Sequence, residues 1–165
     1  MFSVVWLLFV ALTLASAFVD IASYRIPNTF VLAFIVLFAI VALVHRSEVD
    51  WLSHLGAFTL VLGAGVFLYA LGQMGAGDVK LLSALALWAG VYSLVALLFW
   101  VSLCGLTGML IILTLRALVA RSKVFSESRP VPRVLTKKQG IPYGIGIGPG
   151  AIIASFGFPF WLWQW

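Results

Sequence analysis

From Val79 to Val119 the chain runs for 41 residues with Lys80 and Arg116 as its only charges. One straight helix of that length would be about 60 Å long, twice the ~30 Å hydrocarbon thickness of a bilayer. The stretch is therefore predicted to be two helices with a tight break near Gly90-Val91-Tyr92-Ser93. The rest of the sequence has the same character. Hydrophobic residues make up 64% of the 165, and charged residues 9%, against about 25% in soluble domains. A soluble domain this small has no interior large enough for so much apolar surface. A disordered chain would be polar and poor in aromatics. What remains is an all-α polytopic membrane protein, read as one transmembrane domain over residues 1–165.

Six spans are expected. They run from about Phe2 to Val19, Thr29 to Val44, Trp51 to Leu71, Val79 to the break, the break to Val119, and Ile141 to Trp165. Ala15-Ser16-Ala17 resembles a signal-peptidase site, but no Lys or Arg precedes it. A signal peptide wants a positive start, so an uncleaved first span with its N-terminus outside is the better expectation. The inner loops are then 20–28, 72–80 and 116–140. They hold Arg25, Lys80, Arg116, Arg121, Lys123, Arg129, Arg133, Lys137 and Lys138, and only Arg46 falls outside. Nine of ten basic residues on one side is the asymmetry expected of cytoplasmic loops. The net charge of +5 thus reports orientation rather than nucleic-acid binding. The segment of about 120–140 is read as a basic cytoplasmic loop near lipid headgroups. Trp161, Trp163 and Trp165 are read as an outer interfacial anchor. The single cysteine, Cys104, permits neither an internal disulfide nor a cysteine zinc cluster; it is read as a small buried hydrophobe.

Five acids are few enough to take one by one. Glu48 and Asp50, with His45, Arg46 and His54 nearby, are read as a solvated outer turn, because their spacing fits no metal motif. Glu127 lies in the basic loop. Asp20 follows the first span, and Asp78 opens the fourth. Both sit at the inner membrane edge in this topology, where an ionisable group is costly and marks a functional site. The plain alternatives are an N-cap for Asp78 and a surface pair with Arg25 for Asp20. Against them stands the Gly75-Ala76-Gly77-Asp78 run, whose glycines permit close backbone approach. Arg25 and Lys80 are candidates to orient a substrate, or simply snorkelling anchors. Gly144, Gly146, Gly148 and Gly150, like Gly63 and Gly65, are read as close helix-packing positions.

At three places these residues resemble the type IV prepilin peptidases, intramembrane aspartyl proteases of the Gly-x-Gly-Asp type. Asp20 followed by Arg25-Ile26-Pro27-Asn28 is similar to the family's first catalytic Asp and its basic-Ile-Pro-Asn turn. Gly75-Ala76-Gly77-Asp78-Val79-Lys80 is similar to its second catalytic motif. Ile141-Pro142-Tyr143-Gly144 is similar to the opening of its last span. Larger members carry a cytoplasmic domain with Cys-x-x-Cys motifs and N-methylate the pilin. This chain carries neither, so it resembles the short, peptidase-only members that serve tight-adherence (Flp) pili.

The resemblance implies that Asp20 and Asp78 form a carboxyl dyad and cleave the leader of prepilins or pseudopilins at the cytoplasmic face of the inner membrane. Two close carboxyls share one proton, so one can activate water while the other polarises the carbonyl. Dipoles favour charge at a helix start, where Asp78 lies, over a helix end, where Asp20 lies. No metal or other cofactor is required. The partners implied are the pilin precursor and the lipid bilayer, with no nucleic acid. A proton-coupled transporter and a non-catalytic assembly factor are the alternatives. Transport acids more often sit near the bilayer midplane, and an assembly factor needs no paired acids.

Overall fold

A computed structural model describes residues 4–121 and 143–159. All regular structure among them is helical: α1 (Val4–Ser23), α2 (Asn28–Val44), α3 (Trp51–Ala70), α4 (Ala76–Arg121) and α5 (Gly144–Ser155). An apolar chain has little choice here, because in lipid every backbone polar group must be satisfied within its own segment. Three elements are long and apolar enough to cross a membrane, namely α1, α3 and residues 76–118 of α4. The helices α2 and α5 are apolar but shorter, at 17 and 12 residues. The all-helical, membrane-type class therefore holds, while three long candidate spans stand where six crossings were expected.

The expected break in α4 is present and lies at Gly90, whose φ of 64° and ψ of 175° are not helical. It divides α4 into limbs of residues 76–89 and 91–121. A turn this sharp frees backbone groups that would otherwise bond along the helix, and α3 supplies their partners. Ser53 Oγ accepts from the Val91 N–H at 2.9 Å, and His54 Nδ1 lies 2.7 Å from the Leu87 carbonyl. Asp50, just ahead of α3, accepts from the Ser53 N–H and caps the helix. His54 is only 2% exposed. The expectation of a solvated turn thus fails for His54, because α3 starts at Trp51 and turns that imidazole toward Phe38 and the break.

Two packing systems hold the bundle. Phe9, Phe34, Phe38 and Trp88 interlock with ring centroids 5.1–5.7 Å apart, joining α1, α2 and the first limb of α4. The Trp88 indole N–H donates to the Phe34 carbonyl. Elsewhere glycine lets backbones meet. Gly148 faces Ala17 of α1, while Gly146 and Gly150 lie against Gly105 and Val101 of the second α4 limb. The close-packing expectation holds there and at Gly65, where an added Cβ would stand 2.6 Å from Val79. It fails at Gly63, which faces open space.

Large apolar side chains point outward, among them Phe18, Leu52 and Val95, while Thr13, Ser16 and Ser83 are buried and bonded to carbonyls of their own helices. That inverts the soluble pattern and suits a lipid environment. Cys104 is half-buried rather than buried. Ile141 and Pro142, nearly all of the 120–140 loop with Glu127, and Trp161, Trp163 and Trp165 fall outside the described residues.

Candidate active site

The hairpin arrangement of α1, α2, α3 and α4 brings the α1–α2 and α3–α4 connections to the same end of the molecule. Both line one cavity of about 330 Å³, together with Asp20 and Asp78. The acids are 5% and 9% exposed respectively. They lie close enough for the charge of Asp20 to act on Asp78. Residues 58 positions apart in sequence thus meet in a single pocket.

Both acids sit at the helix ends the sequence suggested, each slightly inside its helix. Asp20 lies within the last turn of α1 rather than beyond its end, because the helix continues to Ser23. The helix closes with the Tyr24 N–H bonded to the Asp20 carbonyl at 2.8 Å, the single bond of an αL cap. Tyr24 takes the left-handed conformation at φ +55°, a position usually given to glycine. The Asp20 side chain is fixed from elsewhere. Its Oδ2 accepts the Gly144 N–H at 2.8 Å, across 124 residues. That bond replaces the surface pair with Arg25, which does not form among the described residues. It also gives the Tyr143-Gly144 part of the third motif a physical purpose. A Cβ at residue 144 would lie 2.8 Å from the Asp20 carboxylate, so only glycine brings its N–H this close.

Asp78 is not an N-cap, because α4 begins at Ala76. It occupies the third helical position, and its Oδ2 lies back over Gly75. Gly75 has no room for a side chain, since a Cβ would meet Asp78 Oδ2 at 2.6 Å. Gly77 is pressed against Ile26, with an added Cβ 3.2 Å from the Ile26 Cβ. Gly72 has a third task. With φ at +70° it stops α3, its N–H bonding Tyr69 and that of Gln73 bonding Leu68, the paired bonds of a Schellman motif. The glycine-rich run is thus a helix stop, a carboxylate seat and a packing point in succession.

Lys80 does not reach into the cavity as a free cation. Its Nζ donates to Asn28 Oδ1 at 3.1 Å and ties the start of α4 to the start of α2. With Ile26 against Gly77, the Arg25-Ile26-Pro27-Asn28 turn and the Gly-x-Gly-Asp segment are clamped at two points. Arg25 is exposed at the cavity. Sequence inspection missed Tyr24. It lines the cavity, and its hydroxyl is buried without a hydrogen-bond partner. Nothing in the local sequence marks it, since tyrosine rarely takes a left-handed conformation.

Fold and site together define an all-helical membrane-type protein with a buried carboxyl pair at one end of its bundle. Residues 6–118 match the type IV leader peptidase family, and the chain belongs to that family. The match covers both aspartates and both clamped motifs but stops short of Gly144. Among curated proteins and among solved structures, nothing matches the chain. The family makes the chain a leader peptidase of the prepilin type.

Proposed function

We propose that the chain is an aspartyl endopeptidase that removes the leader of prepilins or pseudopilins, with Asp20 and Asp78 as its catalytic pair. One observation carries this: the two acids are buried in one cavity, Asp20 held by the Gly144 N–H and Asp78 packed over Gly75. The ionised member takes a proton from a water between them. The resulting hydroxide attacks the scissile carbonyl, whose oxygen receives the proton of the other member. Collapse of the tetrahedral diol breaks the C–N bond as a proton passes to the leaving amine. The products are a carboxylic acid and an amine, which ionise on release to a carboxylate and an ammonium, and the pair again shares one proton. The Gly144 N–H keeps the Asp20 carboxyl aligned without spending a side chain on the task.

The wider proposal follows the basic residues. The carboxyl end faces the cytoplasm of the inner membrane, counting both limbs of α4 gives six crossings, and a short basic leader would be met there before its apolar segment. Service to Flp-type pili belongs to the same proposal. Arg25, exposed at the cavity, is available to a substrate carbonyl, whereas Lys80 acts through Asn28.

The test is co-expression with a leader-bearing pilin precursor, followed by its size on gels and its new N-terminus. Asp20→Asn and Asp78→Asn should each lower cleavage by about 1,000-fold or more, within the range expected for loss of an acid–base group, while the protein still inserts. Normal processing by either variant would remove the dyad.

A further inference from the structure

A second, larger cavity lies beside the carboxyl pair, and the chemistry above makes no use of it. Its volume is about 500 Å³, and it runs between α5 and the second limb of α4, walled by Leu82, Val101, Leu106 and Met109. Gly105 and Gly146, where the two helices touch, form part of its lining. No charged residue faces it among the described residues. Its size falls in the range of built ligand sites. Val101 and Met109 are eight residues apart, so the groove follows about 12 Å of helix.

Its position says what it is for. Met74 and Tyr143 both line it. Met74 is bonded to Gly75, over which the Asp78 carboxylate packs, and Tyr143 is bonded to Gly144, whose N–H holds Asp20. The apolar groove and the carboxyl cavity therefore share both segments that position the acids. Their linings are complementary in kind. The carboxyl cavity presents Arg25, Asn28 and Lys80, while the groove presents chiefly aliphatic carbon and thioether, with Ser102 and Tyr143 its only hydroxyl-bearing residues among those described.

We propose that this groove binds the apolar, membrane-embedded segment of the substrate next to the scissile bond, so that the bond falls at Asp20 and Asp78. This rests on the peptidase proposal and adds to it a subsite. A lipid acyl chain would satisfy the polarity of the groove but would not account for the two segments it shares with the acids.

The test uses the full chain in membranes. A photo-crosslinking phenylalanine analogue replaces Ser102 or Met109 in the groove, or Leu110, which is 55% exposed but outside it. Asp78→Asn holds the pilin precursor uncut. Crosslinks from 102 and 109, and not from 110, to residues within about eight positions on the apolar side of the cut are expected. Ser102→Trp, with the aspartates intact, should raise KM for the precursor tenfold or more and leave kcat near normal. Crosslinks to lipid alone, equal crosslinks from Leu110, or an unchanged KM would overturn the groove while leaving an Asp-dependent peptidase standing. Absence of Asp-dependent cleavage by the unaltered chain would remove both proposals.

Discussion

A single methyl group probes how tightly the carboxyl pair is held. At Gly144 the added Cβ would stand 2.8 Å from both the Cβ and Oδ2 of Asp20. Neither is the end of a flexible side chain, because Asp20 is short and fixed on α1. Gly144→Ala must therefore shift the Asp20 carboxylate or withdraw the N–H that holds it. Displacement of a reacting group by about 1 Å costs on the order of 100-fold in rate, and a loss of that size in kcat/KM toward a pilin precursor is expected, with helix content by circular dichroism unchanged. Gly63→Ala is the control. It opens onto empty space in mid-helix, where alanine gains up to about 1 kcal/mol of helix propensity, so cleavage should stay at the original level. Equal rates for the two variants would mean that the Gly144 bond does not position Asp20. At this scale much was legible. The two aspartates stood out because acids are rare in so apolar a chain, and Gly75 and Gly77 because they flank one of them. Gly144 looked like a packing residue, since nothing local links it to an acid 124 positions away. Tyr24 was not legible at all, because tyrosine carries no signature of a left-handed turn.

Breaking a membrane helix leaves backbone groups that lipid cannot satisfy, so the Gly90 turn stands or falls with its partners on α3. Two demands meet there. Residue 90 must tolerate φ near +64°, and a Cβ would come within 3.0 Å of Ser53 Oγ and 3.3 Å of the His54 ring. Gly90→Ala should thus destabilise the protein by about 1–3 kcal/mol or more, the cost of holding an L-residue in a region of φ and ψ that essentially only glycine occupies. Ser53→Ala is milder in shape but strands the Val91 N–H, at about 1–3 kcal/mol for a buried unsatisfied group. Unfolding of purified protein in mixed detergent micelles measures both. Stability unchanged in Ser53→Ala would show that the 2.9 Å bond to Val91 contributes nothing. The need for the break was arithmetic, since 41 apolar residues outrun the bilayer, and its place was marked by glycine. The partners were not readable. Ser53 and His54 precede Gly90 by more than 30 residues, and although the span was expected from Trp51, nothing local points the His54 imidazole to the Leu87 carbonyl rather than to the charged turn beside it.

For the whole molecule, the division of basic charge and the position of the acids make one joint statement. Arg25 in the α1–α2 connection and Lys80 in the first turns of α4 lie at the carboxyl end of the bundle, whereas Arg46 lies in the α2–α3 connection at the other end. Arg116 and Arg121 close the long second limb of α4, which runs back from the Gly90 break. If basic residues stay inside, the carboxyl cavity faces the cytoplasm, where a leader must be met before its protein is exported. Replacing Cys104 with alanine leaves a chain without cysteine, onto which single cysteines can be placed at exposed Ser47 and Gln73. A membrane-impermeant maleimide added to intact cells with a permeable outer layer should label Ser47→Cys at once and Gln73→Cys only after the inner membrane is opened. The reverse pattern would put the acids outside, and no cytoplasmic leader could reach them even if both aspartates proved essential in detergent. Labelling of both sites in intact cells would mean that the α3 segment between them does not cross, and the count of six crossings would fall with it.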